Sequence, residues 1–179
     1  ADIKFIHVES EDSNCTSSNS NVVFDVNPAP WNAQYVARAF FPDSSRSSRN
    51  ILVGDSGIDL GPQDPWTLKG VILHELGHVL GLRHEHTRPE AGECFEDNNW
   101  RPLTDYDSDS VMHYPHCNGS NQGDFYLTAL DKQGIIALYG ASGTVPEEDT
   151  VAPEVRIIEP ASGSEVQTNF NIKLSASDN

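Results

Sequence analysis

The sequence predicts an α+β domain followed by the start of a second, all-β module. Three features carry that prediction. Short extended stretches rich in Val, Ile and Phe, punctuated by Gly and Pro, fill residues 1–61. Two stretches, 66–80 and 129–139, place apolar residues at helical spacings without a proline. After Gly140 the composition turns to Gly, Pro and acidic residues, then to two more strand-like runs.

Composition sets outer limits. The chain has 179 residues, enough for one domain with a core and part of another. It carries 11 Lys+Arg against 27 Asp+Glu, a formal net charge of −16. Such a surface repels phosphate backbones, so nucleic acid is excluded as a partner class. No run of 18 apolar residues occurs, so no membrane-spanning helix is expected.

The elements follow in order. Residues 1–10, ADIKFIHVES, alternate apolar and polar and predict a strand. EDSNCTSSNSN is a polar loop, and Val22–Val26 is extended up to Pro28 and Pro30. Gln34–Phe41 predicts a second long strand, stopped by Pro42. Ile51–Val53 begins another, continuing toward Gly61 with bulges at Gly54 and Gly57. Asp64 and Pro65 offer an N-cap and a first helical residue, and the helix runs to Leu80. Gly81 stands where a helix ends in a left-handed residue. Residues 85–110 lack periodicity, although Trp100, Leu103 and Tyr106 imply packing. Ser110–Pro115 is a tight apolar turn. Thr128 caps a last helix, Ala129–Tyr139, with Asp131 completing a weak capping box. The expected organisation is a domain over 1–140, a linker over 141–152, and a β module beginning at 153.

There are three cysteines. Cys94 and Cys117 flank the segment after the histidine cluster and are candidates for a disulfide. Closing a loop of that size stabilises by about 3 kcal/mol in the chain-entropy model. Cys15 is left over. A disulfide implies an oxidising, extracellular or periplasmic setting.

The chemistry concentrates in HELGHVLGLRH, His74–His84. His74 and His78 lie four residues apart, so both imidazoles project from one helix face. That spacing suits zinc. Glu75 reaches a water on the metal without ligating it, and Gly81 allows the turn that returns His84 as third ligand. Three ligands leave a coordination position open, the mark of a catalytic site. Histidines are more often ordinary core or surface residues. H-E-x-x-H alone arises by chance in on the order of one per cent of chains this long. The added Gly and His lower that by a further factor of several hundred or more.

H-E-x-x-H-x-x-G-x-x-H followed by a methionine turn is the signature of metzincin metalloproteases, and this chain resembles them. Ser110-Val111-Met112-His113-Tyr114 is the Met-turn candidate, and Met112 is the chain's single methionine. His84-Glu85-His86-Thr87-Arg88-Pro89 and Thr104-Asp105-Tyr106-Asp107 are similar to the astacin branch, with the matrixins as second choice. The resemblance implies a twisted mixed sheet, an active-site helix, the Met-turn and a C-terminal helix. It implies that Tyr114 is a switchable metal ligand that stabilises an oxyanion, rather than a residue packed in a turn. It leaves His86, His113 and His116 outside the ligand set and the role of Glu85 open. ADIKFIHV is similar to the third strand of such a sheet. Val36, Ala37, Arg38, Ala39 and Phe40 resemble the edge strand along which substrate lies. The first two strands and first helix have no counterpart, so the chain is expected to be cut at both ends. The tail from 153 resembles the opening of a bacterial immunoglobulin-like module, which needs about seven strands.

The resemblance implies a secreted zinc endopeptidase acting on proteins or peptides through a metal-activated water, with Glu75 as general base. The competing expectation is a non-catalytic binding or adhesion module that keeps its zinc site. Calcium is a further cation for the acidic loops Asp55–Asp59 and Asp105–Asp109, although neither has EF-hand spacing. An inhibitory pro-segment, if one acts, lies outside this chain. The surroundings of Cys15 have no likeness to an inhibitory cysteine motif.

Overall fold

The computed structural model describes residues 1, 3–58, 66–121 and 125–142, and the backbone of 154–159 and 173–177. The chain divides into two units, Ala1–Ala141 and Ser142–Asn179.

The first unit is built on a short three-stranded sheet: β1 (Asp25–Pro28), β2 (Ala37–Arg38) and β3 (Asn50–Val53), in the order β1-β3-β2. β1 runs parallel to β3, pairing Val26 with Ile51. β2 runs antiparallel to β3, pairing Ala37 with Val53 and Arg38 with Leu52. Ile51 and Val53 point into the core, while β2 forms the sheet's edge.

Three expectations are corrected here. No strand forms over residues 3–8, which lead instead into a 3-10 helix at Glu9–Asn14. With no neighbouring strand to complete its ladder, an isolated extended segment has nothing to hold it in a sheet. Phe5, Ile6 and Val8 stay exposed. The strand expected at Gln34–Phe41 contracts to Ala37–Arg38: its partner β3 ends at Val53, opposite Ala37, and past Arg38 the chain leaves the ladder as Phe40 turns into the core. Beyond Val53 the chain turns into a single helical turn, α1 (Asp55–Ile58), rather than continuing as strand.

The helix start expected at Asp64 and Pro65 lies outside the described residues. Helix α2 spans Leu68–Val79, and Thr67 caps it by accepting the Gly70 N–H at 3.0 Å. Trp66 precedes the helix and packs against Phe125. Gly81 takes φ +90°, and Leu82 N–H returns to the Gly77 carbonyl. The stretch after it is packed, as its aromatic residues implied. Arg88 is buried between Trp100 and Tyr106, with its guanidinium 5.6 and 5.7 Å from the two ring centres. Two short 3-10 turns, Glu85–Thr87 and Pro89–Ala91, organise the path.

The core beneath α2 is Val111, Met112 and Phe125, with Trp66, Leu73, Leu82 and Tyr114 packed around it. α3 spans Ala129–Tyr139 behind a full Thr128/Asp131 capping box. In the second unit, β4 (Glu154–Glu159) and β5 (Lys173–Ser177) pair antiparallel, with an irregularity between Ile157 and Glu159. No described helix is long and apolar enough to cross a membrane.

Gly77 is where helix and Met-turn meet: a Cβ there would collide with the Met112 sulfur. Elsewhere in a helix Gly→Ala gains up to about 1 kcal/mol. Here overpacking should cost about 1–3 kcal/mol. Gly77→Ala is expected to melt several degrees below the parent, and Gly77→Ala/Met112→Ala to recover part of the loss. A Gly77→Ala protein that melts higher than the parent would contradict this packing.

Candidate metal centre

Helix α2 places His74 and His78 one turn apart, and the Gly81 turn brings His84 back beside them. The Nε2 atom of His84 lies 3.1 Å from that of His78 and 3.2 Å from that of His74. Each ring is anchored through its other nitrogen. His74 Nδ1–H donates to the Val111 carbonyl at 2.7 Å. His78 Nδ1–H donates to the Leu82 carbonyl at 2.8 Å. His84 Nδ1–H donates to Glu96 Oε1 at 2.6 Å. Carbonyl and carboxylate oxygens only accept, so the Nδ1 atoms carry the protons. The three Nε2 atoms therefore present lone pairs to one another, and their close approaches are not hydrogen bonds.

Lone pairs converging at that distance repel unless a cation sits among them. The separations fit one. Four-coordinate zinc with Zn–N bonds of about 2.0–2.1 Å sets its nitrogen ligands roughly 3.3 Å apart. Burial holds His74 and His84 near pKa 3, assisted by the neighbouring His78 in each case, and burial also lowers His78. All three are thus neutral at physiological pH, the form that ligates.

Glu75 lies between His74 and His78 on the same helix. It is buried, and its Oε2 has no hydrogen-bond partner. Burial raises its pKa to about 7, against the opposing charge of Arg38. It opens onto a cleft of about 220 Å³ shared with Ala37, Arg38, His78, His84 and Tyr114. A larger cavity of about 470 Å³ lies beyond His84, lined by Trp100, Leu103 and Leu138, and excludes Glu75, His74 and His78. The smaller cleft is the one that brings Glu75, His78, His84 and Tyr114 together.

The Tyr114 ring stacks on His74 at 5.3 Å and lies 4.6 Å from His84, at the rim of the cluster. Burial lifts its phenol to about 12, so the hydroxyl keeps its proton. Met112 lies under Gly77 and supports the cluster from below. Of the five edge-strand residues, Ala37, Arg38 and Ala39 line the cleft. Phe40 instead packs into the core against Phe24, and the Val36 carbonyl is taken by the Gly54 N–H.

Cys94 and Cys117 are joined in a disulfide, and Cys15 is free and exposed. Asp107 and Asp109 are engaged within their own surroundings. Asp107 accepts from Asp109 N and the Thr128 hydroxyl, and Asp109 from Ser120. Asp59 lies outside the described residues. Glu85 accepts from Arg88 and from Asp107 N–H, and burial raises its pKa to about 7.

Four residues support the centre through contacts that the sequence does not indicate. Asp131 accepts from the Thr128 N–H, Ser110 Oγ and Val111 N–H, fusing the α3 cap to the Met-turn. His86 and His113 are fully buried. His86 accepts the Tyr114 N–H, and His113 accepts the Tyr106 hydroxyl at 2.8 Å. Glu96 touches His84. Asp131 is marked in the sequence by its place three residues after Thr128, and His86 and His113 by the motifs that contain them, whereas Glu96 carries no sequence signal.

The metal-free centre predicts a pH dependence. His74 and His84 titrate near 3 when folded and near 6.5 when unfolded. The folded state binds fewer protons in that window, so stability falls as the pH drops through it. Glu75 and Glu85 act oppositely. They titrate near 7 when folded and near 4.5 when unfolded, so their contribution is full below 4.5 and lost as the pH rises toward 7. Between pH 4.5 and 3.5 the histidines act alone among these four. Chelator-treated His84→Gln protein should therefore lose less melting temperature across that interval than chelator-treated parent. Equal losses would show that the imidazoles are not held neutral.

Comparison with known proteins points the same way. A family model described as Matrixin matches residues 2–91, half of the chain. Bone morphogenetic protein 1 of Xenopus laevis is 34% identical over 85 residues, covering 37% of this chain and 12% of its own. Zinc metalloproteinase nas-39 of Caenorhabditis elegans is 35% identical over 82 residues, covering 35% of this chain and 9% of its own. Human Tolloid-like protein 1 is 31% identical over 126 residues, covering 58% of this chain and 12% of its own. The chain thus spans only a small part of the length of these relatives. No solved structure matches. With its matrixin match and its astacin-type relatives, the chain belongs to the matrixin family of metalloproteases within the metzincins.

Proposed function

We propose that this chain is the catalytic part of a secreted zinc-dependent endopeptidase. One observation carries the reading: three imidazole lone pairs converge beside a buried carboxylate whose Oε2 is unpartnered, in a cleft bordered by an edge strand. His74, His78 and His84 would hold the zinc. When bound, zinc supplies Lewis acidity and brings the pKa of a coordinated water toward ~7.

The chain's own residues do the rest. Glu75, with its pKa raised to about 7, takes up a proton on its carboxylate near neutrality and returns it to the leaving amine. The Tyr114 phenol, still protonated, donates to the oxygen that gains charge. β2 is the outer strand of its sheet, so an extended peptide can pair along Ala37–Arg38 as an added strand. Arg38 then lies beside the substrate and the base. The Cys94–Cys117 disulfide supports an oxidising, extracellular setting. Residues 153–179 are read as the start of an immunoglobulin-like module, supported by the β4–β5 pair.

The other reading, a binding module that retains its metal, is favoured by the shortness of the sheet around the cleft. Glu75→Gln separates the two. It is expected to keep one zinc per chain and to lower chelator-sensitive cleavage of casein by at least about 10²-fold. A zinc-replete Glu75→Gln protein that cleaves at the parental rate would overturn the role of Glu75. A zinc-loaded parent without cleavage would favour the binding module.

A further inference from the structure

His84 differs from the other two histidines in how it is held. His74 and His78 stand on α2 and are anchored by backbone carbonyls. His84 stands past the helix, on the segment after Gly81, and its anchor is a side chain, Glu96 Oε1 at 2.6 Å. The same oxygen lies 3.3 Å from His86 Nε2. The direction of that second contact is fixed by a third. Tyr114 N–H donates to His86 Nδ1 at 3.2 Å, so the His86 proton resides on Nε2 and is donated to Glu96. Glu96 Oε1 thus accepts two imidazole N–H groups, and the rings of His84 and His86 stack at 4.6 Å. Among the described residues Glu96 makes no ion pair with a Lys or Arg.

The loop presenting Glu96 is tied on both sides. Cys94, two positions earlier, is in the disulfide to Cys117 and takes a left-handed φ of 55°. Asp97, one position later, pairs with Arg83 at 2.7 Å. The backbone N–H groups of Glu96 and Asp97 both donate to Thr87 Oγ1.

We propose that Glu96 is the positioning residue of the third metal ligand. It holds the proton of His84 on Nδ1, keeps the Nε2 lone pair on the metal point, and links that ligand through His86 to the backbone of Tyr114. A carboxylate behind a ligating histidine fixes its tautomer and raises its basicity, and loss of such a partner typically weakens metal affinity 10–100-fold. The inference rests on the metal-centre reading above.

The test is zinc affinity, measured by competition with a chromophoric chelator, together with melting of the chelator-stripped proteins. Glu96→Gln keeps size and shape but removes the charge. It should bind zinc about 10–100-fold more weakly than the parent, with the metal-free melting temperature unchanged. Glu93→Gln, which removes a neighbouring exposed charge, should stay within about twofold of the parent. The inference is overturned if the parent holds one zinc and Glu96→Gln holds it within twofold as tightly. It is also overturned if the metal-free Glu96→Gln protein melts markedly lower, which would mark a merely structural role. A parent that binds no zinc would overturn the metal-centre reading itself, and this inference with it.

Discussion

Three imidazole lone pairs aimed at one point set the terms for the rest of the structure. The arrangement is electrostatically unfavourable by itself. His74 is buried and His78 and His84 are half-buried, and a buried polar atom without a partner costs about 1–3 kcal/mol. The Nδ1 hydrogen bonds make the orientation persist, because rotating any ring away would break a bond of 2.6–2.8 Å. A cation among the Nε2 atoms relieves the conflict, so its binding energy adds directly to folding energy.

The anchors come from three separate parts of the chain, which explains why so much sequence serves so small a site. Val111 belongs to the Met-turn, Leu82 to the turn after α2, and Glu96 to the loop closed by the disulfide. Asp131 connects α3 to this set. Its carboxylate completes the α3 cap while holding Ser110 and Val111, and the Val111 carbonyl in turn holds His74. Gly77 lets the Met112 sulfur approach the helix that carries His74 and His78. A change in any of these residues should disturb the three imidazoles without touching them.

The histidine spacing, the Gly81 turn, the tight turn at Ser110–Tyr114 and the α3 cap are legible in the sequence because each is local. A few neighbouring residues specify them by helical period, left-handed turning or capping. The strands were less legible for a physical reason. Alternation at 1–10 and 34–41 resembles a strand, but a strand exists only if a partner lies beside it, and pairing here is confined to four residues of β3. Phe40 stands in the same run as the cleft residues, but it lies past β2 and packs into the core against Phe24. The roles of Glu96 and His86 are not legible in the sequence, because they depend on a loop folding back onto His84. The Cys94–Cys117 pairing hinted at that closure without saying which side chain it would deliver.

The central claim is that these three imidazoles, and no sulfur, bind a zinc ion. X-ray absorption at the zinc edge of the purified, metal-loaded protein tests it most directly. The expected result is one zinc per chain, a nearest shell of nitrogen and oxygen only at about 2.0–2.1 Å, and outer-shell scattering from three imidazole rings. A shell containing sulfur at about 2.3 Å, or scattering from fewer than three rings, would contradict it.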